Sequence, residues 1–146
     1  MNSALCALVL GGILALDARA QSIELKNPGF ESVRDSTAPR TPGWIAGQGA
    51  SVVSSKARNG VRSLQIAPAG ADTIISVVQT FRVDAKVGQI VELSGDIETD
   101  KVSGWAALWI RVDGNARTLA VDNMEKSGPR GTARWKRYAV QVPIPP

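Results

Sequence analysis

The chain has 146 residues, a formal net charge of +4 and no histidine, and its one cysteine, Cys6, lies in a segment that we expect to be removed. These counts exclude Ser-His-Asp and Cys-His nucleophilic catalysis, and they exclude the usual His and Cys ligands of zinc, copper and haem. What remains is carboxylate, Lys, Arg, Tyr or Ser/Thr chemistry, or a hard cation such as calcium held by oxygens. A binding function is therefore favoured over catalysis.

The first twenty residues are typical of a secretory signal peptide. An apolar run from Ala4 to Leu16 precedes Ala18-Arg19-Ala20, a small-x-small cleavage site. The run is too short to span a bilayer comfortably, and the alternative is a short buried helix. We expect cleavage after Ala20, which leaves a mature chain 21–146 that is secreted or periplasmic and has no membrane span.

The mature chain is long enough for one modest domain, and it has the pattern of strands separated by turns. Runs rich in Val, Ile and Thr alternate with Gly, Pro, Asn, Asp and Ser, and no segment keeps helical periodicity for three turns. Eight short strands predict an all-β fold, an antiparallel β-sandwich and most simply a jelly roll. They are Ser22–Leu25, Ala50–Ser54, Ser63–Ala67, Thr73–Arg82, Ile90–Thr99, Trp105–Val112, Thr118–Asp122 and Trp135–Val142.

Three carboxylates, Glu92, Asp96 and Glu98, share the polar face of the predicted strand Ile90–Thr99. Carboxyls on neighbouring same-face positions can approach the spacing that glycoside hydrolases use. Acids that alternate with apolar residues are also what a half-solvated strand displays. We prefer the second interpretation, so no catalytic residue is assigned and the chain is not expected to be an enzyme.

The segment 104–114 places two tryptophans and two charged residues on one strand face, because strand side chains alternate. One face is apolar and consists of Ala106, Leu108, Ile110 and Val112, whereas the other carries Trp105, Ala107, Trp109, Arg111 and Asp113. Flat rings beside hydrogen-bonding groups can stack on a sugar and hold its hydroxyls. The alternative is that the tryptophans belong to the core.

Two features follow in the last third of the chain. Asp122 opens a loop that reaches Ala133, and it is assigned as a polar helper of the site, although Asp also begins turns by bonding nearby backbone. A basic cluster then surrounds Trp135 and consists of Arg130, Arg134, Lys136 and Arg137. Such residues contact phosphates and bases, but they also protect a solvated edge strand from edge pairing. We prefer the edge interpretation and expect no nucleic-acid partner.

The order of several motifs resembles the galactose-binding-like jelly rolls, which include many carbohydrate-binding modules. The first half carries Asn27-Pro28-Gly29-Phe30-Glu31, Pro42-Gly43-Trp44 and Gly60-Val61-Arg62-Ser63-Leu64. The second half is similar to a bacterial subgroup with the pattern GWAxLWxRVDG…DNM…GT..W, carried here by 104–114, 122–124, 131–132 and 135. Such domains occur as accessory modules beside catalytic or regulatory domains.

The resemblance implies an exported, non-catalytic module that binds carbohydrate. Its site would consist of Trp105, Trp109, Arg111, Asp113 and Asp122. The alternative is an interaction module without a small ligand, which docks its Trp face onto a catalytic domain of a larger secreted protein. Exposed aromatic patches often mark such contacts.

Two further expectations follow from the resemblance. Members of the family add one or two strands after the one that matches Trp135–Val142, so the domain 21–146 is expected to be C-terminally incomplete. Their counterpart of Glu31 helps to hold a structural calcium together with a late acidic segment, which makes Glu31 a candidate calcium ligand. Because that acidic segment is absent, we prefer a turn over Asn27–Glu31 that packs Phe30 in the core. No other cofactor is expected.

Overall fold

The computed structural model describes residues 3–7, 22–33, 42–70, 73–114 and 117–146, and these residues form strands and turns without any helix. The prediction of an all-β fold built from small antiparallel sheets is confirmed for this part of the chain. None of these residues belongs to a helix long and apolar enough to cross a membrane. The strands are β1 (Ser3–Ala7), β2 (Ile45–Ala46), β3 (Ala50–Val53), β4 (Ser63–Ile66), β5 (Val77–Val78), β6 (Ile90–Val102), β7 (Ile110–Asp113), β8 (Thr118–Asp122) and β9 (Gly131–Pro143).

The main sheet has five strands in the order β3-β4-β1-β6-β9, and each neighbouring pair is antiparallel. The long strands β6 and β9 pair from Ile90↔Pro143 to Val102↔Gly131, with irregularities on either side of Thr99. Two small antiparallel pairs, β2–β5 and β7–β8, complete the described sheets.

Most predicted strands are present, but three predictions differ from the structure. The predicted strand Ser22–Leu25 does not form. At the neighbouring Lys26, the backbone bonds a side chain instead of a strand: the Gln79 amide accepts from the Lys26 N–H at 3.1 Å and donates to the Lys26 carbonyl at 2.6 Å. Only Val77–Val78 of Thr73–Arg82 pairs as a strand, with β2. The predicted strand at Trp105 begins only at Ile110, while the preceding residues pack on the core without a ladder partner in the described part.

Strand β1 lies inside the segment that the sequence predicts to be removed. It occupies the middle of the main sheet, with β4 on one side and β6 on the other. The remainder of residues 1–20 falls outside the described part. Cleavage after Ala20, the mature range 21–146 and its incomplete C-terminus therefore stay predictions.

The core lies between β6–β9 and the segment that leads into the β7–β8 hairpin. Its buried members are Ile97, Leu108, Met124 and Val140. Half-buried apolar side chains pack around them, among them Leu25, Trp44, Leu93, Ala106, Ala107, Ile110 and Tyr138. Leu108, only 3% exposed, is the buried member of the predicted apolar face of 104–114. Ala106 and Ile110 of that face pack around the core, and so does Ala107 of the other face.

Candidate functional site

Trp105 is part of a folded loop and is also in contact with solvent. Its residue is 37% exposed, and its indole Nε1 donates to the Asn123 carbonyl at 3.2 Å. The guanidinium of Arg130 lies 5.5 Å from the ring centroid, within the range of a cation–π contact. Arg130 also donates to the carbonyls of Gly104 at 3.2 Å and Glu125 at 2.9 Å. The Trp105 ring and the Arg130 guanidinium therefore connect the loop after β8 to the start of the segment 104–109.

Two other predicted site residues, Arg111 and Asp113, are paired with each other on β7. Arg111 Nε donates to Asp113 Oδ2 at 3.0 Å, and Thr118 Oγ1 donates to Asp113 Oδ1 at 3.0 Å. Both carboxylate oxygens thus have partners within the hairpin. Trp109, directly before β7, is half-buried. The assignment of these residues to a ligand site stays a prediction.

Asp122 lies on the other face of the hairpin from Arg111. It is opposite Ile110 in the β7–β8 ladder, and residues directly opposite each other in an antiparallel pair share a face. The residue opposite Arg111 is instead Val121, which is 58% exposed. The structure therefore does not bring Asp122 and Arg111 together on one surface.

The side chain of Asp122 forms a turn. Its Oδ1 accepts from the Met124 amide at 3.0 Å, and Asn123 Oδ1 accepts from the Glu125 amide at 3.2 Å. The backbone at Met124 has φ +54°, and its side chain is buried beneath Leu108, whose amide points at the sulfur. The pair of turns thus inserts Met124 into the core. In the sequence, Met124 is an apolar residue with two polar residues on each side. This pattern is a local signal for a buried side chain within a loop.

Three of the carboxylates of β6, Glu92, Asp96 and Glu98, are each paired with a basic or an amide side chain. Glu98 receives Lys56 Nζ at 3.0 Å, and Glu92 accepts from the Gln141 amide at 2.5 Å. Asp96, only 5% exposed, lies between two guanidinium groups, with Arg58 at 3.6 Å and Arg137 at 3.5 Å. These contacts fit a structural polar face on β6.

Strand β9 is the terminal strand of the main sheet in the described part, as the edge interpretation of its basic residues requires. Arg130 contacts Trp105, and Arg137 contacts Asp96 and Ser94 Oγ, the latter at 2.7 Å. Arg134 and Lys136 are exposed, and Lys136 Nζ lies 5.6 Å from the centroid of the Tyr138 ring. None of the ion pairs found among the described residues includes Arg134 or Lys136, so this end of β9 carries positive charge without a directly paired acid.

Glu31 joins two distant loops. Its Oε1 accepts from the amides of Val61 at 3.0 Å and Arg62 at 3.2 Å, and the Arg62 guanidinium donates to the Glu31 carbonyl at 2.7 Å. The preceding Phe30 is 1% exposed, and its ring centroid lies 5.3 Å from that of Trp44. No group of three or more acidic, His or Cys residues suited to a metal occurs within the described ranges. Asn27–Glu31 forms a turn and Phe30 is buried, as the sequence predicted, whereas the role of Glu31 as a calcium ligand stays a prediction.

We expect Glu31→Ala to lower the free energy of unfolding by about 1–2 kcal/mol, because two backbone amides lose their acceptor. Added calcium chloride is expected to leave the melting temperature of both proteins unchanged. Urea unfolding and thermal melts followed by Trp fluorescence measure both effects. Glu24→Ala is the matched control, because Glu24 is also exposed, and it should change stability by less than about 0.5 kcal/mol. A calcium-dependent rise in melting temperature that Glu31→Ala abolishes would contradict this prediction.

Comparison with known proteins identifies a partial relative. No protein-family model and no solved structure matches the chain. A curated protein of Bacillus subtilis (strain 168), the uncharacterized HTH-type transcriptional regulator YbfP, is 37% identical over 71 residues. The matched residues are 48% of this chain and 24% of the relative, so the match spans about a quarter of that protein.

This match corrects the predicted function. The exported carbohydrate-binding module and its alternative, a module that docks onto a catalytic domain of a secreted protein, are both contradicted by a relative that is an HTH-type transcriptional regulator. The expectation that the chain has no nucleic-acid partner is wrong for the same reason. The physical reason is that an aromatic ring beside an arginine is not specific for sugar, since the same groups stack on bases and on other side chains.

Proposed function

We propose that this chain acts in transcriptional regulation, as a β-sheet regulatory domain that works with a helix-turn-helix DNA-binding element. The observation that carries the proposal is the 37% identity over 71 residues to an HTH-type transcriptional regulator. A helix-turn-helix requires two helices, and the described residues contain none. We assign a regulatory role, rather than base recognition, to these β-sheets.

We also propose that the fold is a galactose-binding-like jelly roll and that the domain is not an enzyme. The packing of the β7–β8 region against β6 and β9, through the cluster of Ile97, Leu108, Met124 and Val140, supports a two-layer sandwich. The engagement of Glu92, Asp96 and Glu98 by neighbouring side chains supports a structural role for the acids.

The exposed basic end of β9 is the surface proposed to lie near DNA. Arg134 and Lys136 can contact the phosphate backbone, which positions a protein on DNA without reading its sequence. The net charge of +4 favours the same encounter through long-range attraction. This surface would add affinity to a complex whose sequence specificity comes from helices.

The test of the proposed function is chromatin immunoprecipitation of the tagged chain from its own cells. We expect discrete promoter regions to be enriched. N-terminal sequencing of the same material determines whether residues 1–20 are removed, since a secretory signal and a role at DNA place the chain on different sides of the membrane. Recovery of the cleaved chain outside the membrane, without promoter enrichment, would overturn the proposal.

A double substitution tests the basic end of β9. The purified chain is expected to bind mixed-sequence duplex DNA weakly, and Arg134→Ala/Lys136→Ala should reduce the slope of log affinity against log salt by about 1–2, because up to two phosphate contacts are lost. Fluorescence anisotropy of a labelled duplex at several salt concentrations measures the slope. Lys86→Ala is the matched control, because Lys86 lies near the opposite end of β9, where Gly88 bonds Ile144. An equal slope in all three proteins would exclude this surface.

A further inference from the structure

The main sheet contains a gap one strand wide between β4 and β6, and β1 fills it. Residues 4, 5 and 6 of β1 pair with Ile66, Gln65 and Leu64 of β4. The same strand pairs over its whole length with β6, from Ser3↔Asp100 to Ala7↔Asp96. β4 and β6 do not pair with each other, and β1 runs antiparallel to both.

The walls of this gap are among the most buried parts of the described structure. Ser63 and Leu64 of β4 are buried, and so are Asp96, Ile97 and Thr99 of β6. An empty gap would leave two rows of backbone N–H and C=O groups without ladder partners in the middle of a sheet. The gap therefore requires a strand, whichever chain supplies it.

One buried group in the gap lacks a partner. Thr99 is 2% exposed, and its Oγ1 has no hydrogen-bond partner in the structure. Its two ladder neighbours are Ala4 of β1 and Ala133 of β9. An alanine side chain has neither donor nor acceptor, and a buried hydroxyl without a hydrogen bond is unfavourable. A strand with a hydroxyl side chain opposite Thr99 would fit the gap better than β1 does.

We propose that the gap between β4 and β6 is a strand-acceptor site, which binds in trans an extended, uncharged peptide with a hydroxyl side chain opposite Thr99. This mode of recognition adds a strand to a sheet through main-chain hydrogen bonds, while side chains at alternate positions provide specificity. The incoming strand takes the place of β1, whose five residues are also uncharged.

The test uses the full chain and three fluorescent peptides of residues 2–8, each carrying Cys6→Ser to prevent oxidation. One has no other change, one adds Ala4→Ser and one adds Leu5→Pro. A Leu5→Pro variant of the full chain weakens its own β1, because proline donates no ladder hydrogen bond. We expect this variant to bind the first peptide saturably, the Ala4→Ser peptide about fivefold more tightly through one added hydrogen bond, and the Leu5→Pro peptide not at all. No binding, or equal binding of all three, would overturn the proposal.

A second measurement does not depend on the folding of that variant. With excess Ala4→Ser peptide, amide hydrogen exchange of the wild-type chain should become faster in Ser3–Ala7, while Ser63–Ile66 and Asp96–Asp100 stay protected. In Thr99→Val, whose hydroxyl is removed, the fivefold preference for the Ala4→Ser peptide should disappear. A concentration-dependent dimer that excludes every peptide would also overturn the proposal, because the gap would then be filled by the same segment of a second copy.

Discussion

Gly128→Ala is expected to destabilise the protein by about 2–3 kcal/mol, because a methyl group at this position overpacks a tight turn. A Cβ on Gly128 would lie 2.5 Å from the Ala106 carbonyl oxygen, 3.0 Å from the Met124 carbonyl oxygen and 2.9 Å from Trp105 Cδ1. Two of these atoms belong to the backbone, so the clash can be relieved only by moving main chain. The amide of Gly128 also donates to the Met124 carbonyl at 2.6 Å, which fixes the turn that the methyl group would displace.

Gly104→Ala is the matched control for this prediction. Gly104 belongs to the same region, but a Cβ there would have no atom within 4 Å. Its effect on the free energy of unfolding should remain within about 0.5 kcal/mol, as for most surface substitutions. Denaturant unfolding followed by Trp fluorescence compares the two variants. Equal stability of Gly128→Ala and Gly104→Ala would contradict the packing of the Gly128 loop against the segment 104–109.

Leu108→Ala is expected to cost about 2–5 kcal/mol of unfolding free energy. Leu108 is 3% exposed and packs in the cluster of Ile97, Met124 and Val140, so its truncation removes buried contacts and leaves a cavity. The same denaturant titration measures the loss. Its size also tests which face of the segment 104–114 is turned inward.

Val121→Ala is the control for the cavity prediction. Val121 lies on β8 of the adjoining hairpin and is 58% exposed, so the substitution should change stability by less than about 0.5 kcal/mol. A mild Leu108→Ala together with a severe Val121→Ala would reverse the assignment of the two faces. The Trp105 and Arg111 face would then be the buried one.

Much of the fold could be predicted from local patterns. The strand Thr118–Asp122 has the predicted bounds. The predicted strands at residues 50 and 63 contain observed ones, and those at residues 90 and 135 lie within longer observed strands. The prediction failed where pairing decided the outcome. Thr73–Arg82 has the composition of a strand, yet only two of its residues meet a partner strand in the described part. A segment forms a strand only when another segment pairs with it through backbone hydrogen bonds. The composition of the segment does not reveal whether such a partner exists.

The candidate site shows the same limit at the level of single residues. Leu108 is buried and Trp105 is partly exposed, as the predicted alternation requires, although the strand itself begins only at Ile110. Alternation could not show that Asp122 lies opposite Ile110 rather than Arg111, because the register between strands is set by the hairpin connection and its irregularity. The contact of Arg130 with Trp105 joins residues far apart in the chain and has no signature in either segment alone.

The sequence alone determined the all-β class, the apolar face that contains Leu108, the turn that buries Phe30 and the absence of histidine and cysteine chemistry after residue 20. Each of these depends on neighbouring residues or on composition. The tertiary structure decided which strands pair, how Glu31 joins the loop at Val61, how Asp96 is held between Arg58 and Arg137, and that a single strand separates β4 from β6. These features join segments that are distant along the chain, and their energies depend on contacts that exist only after folding.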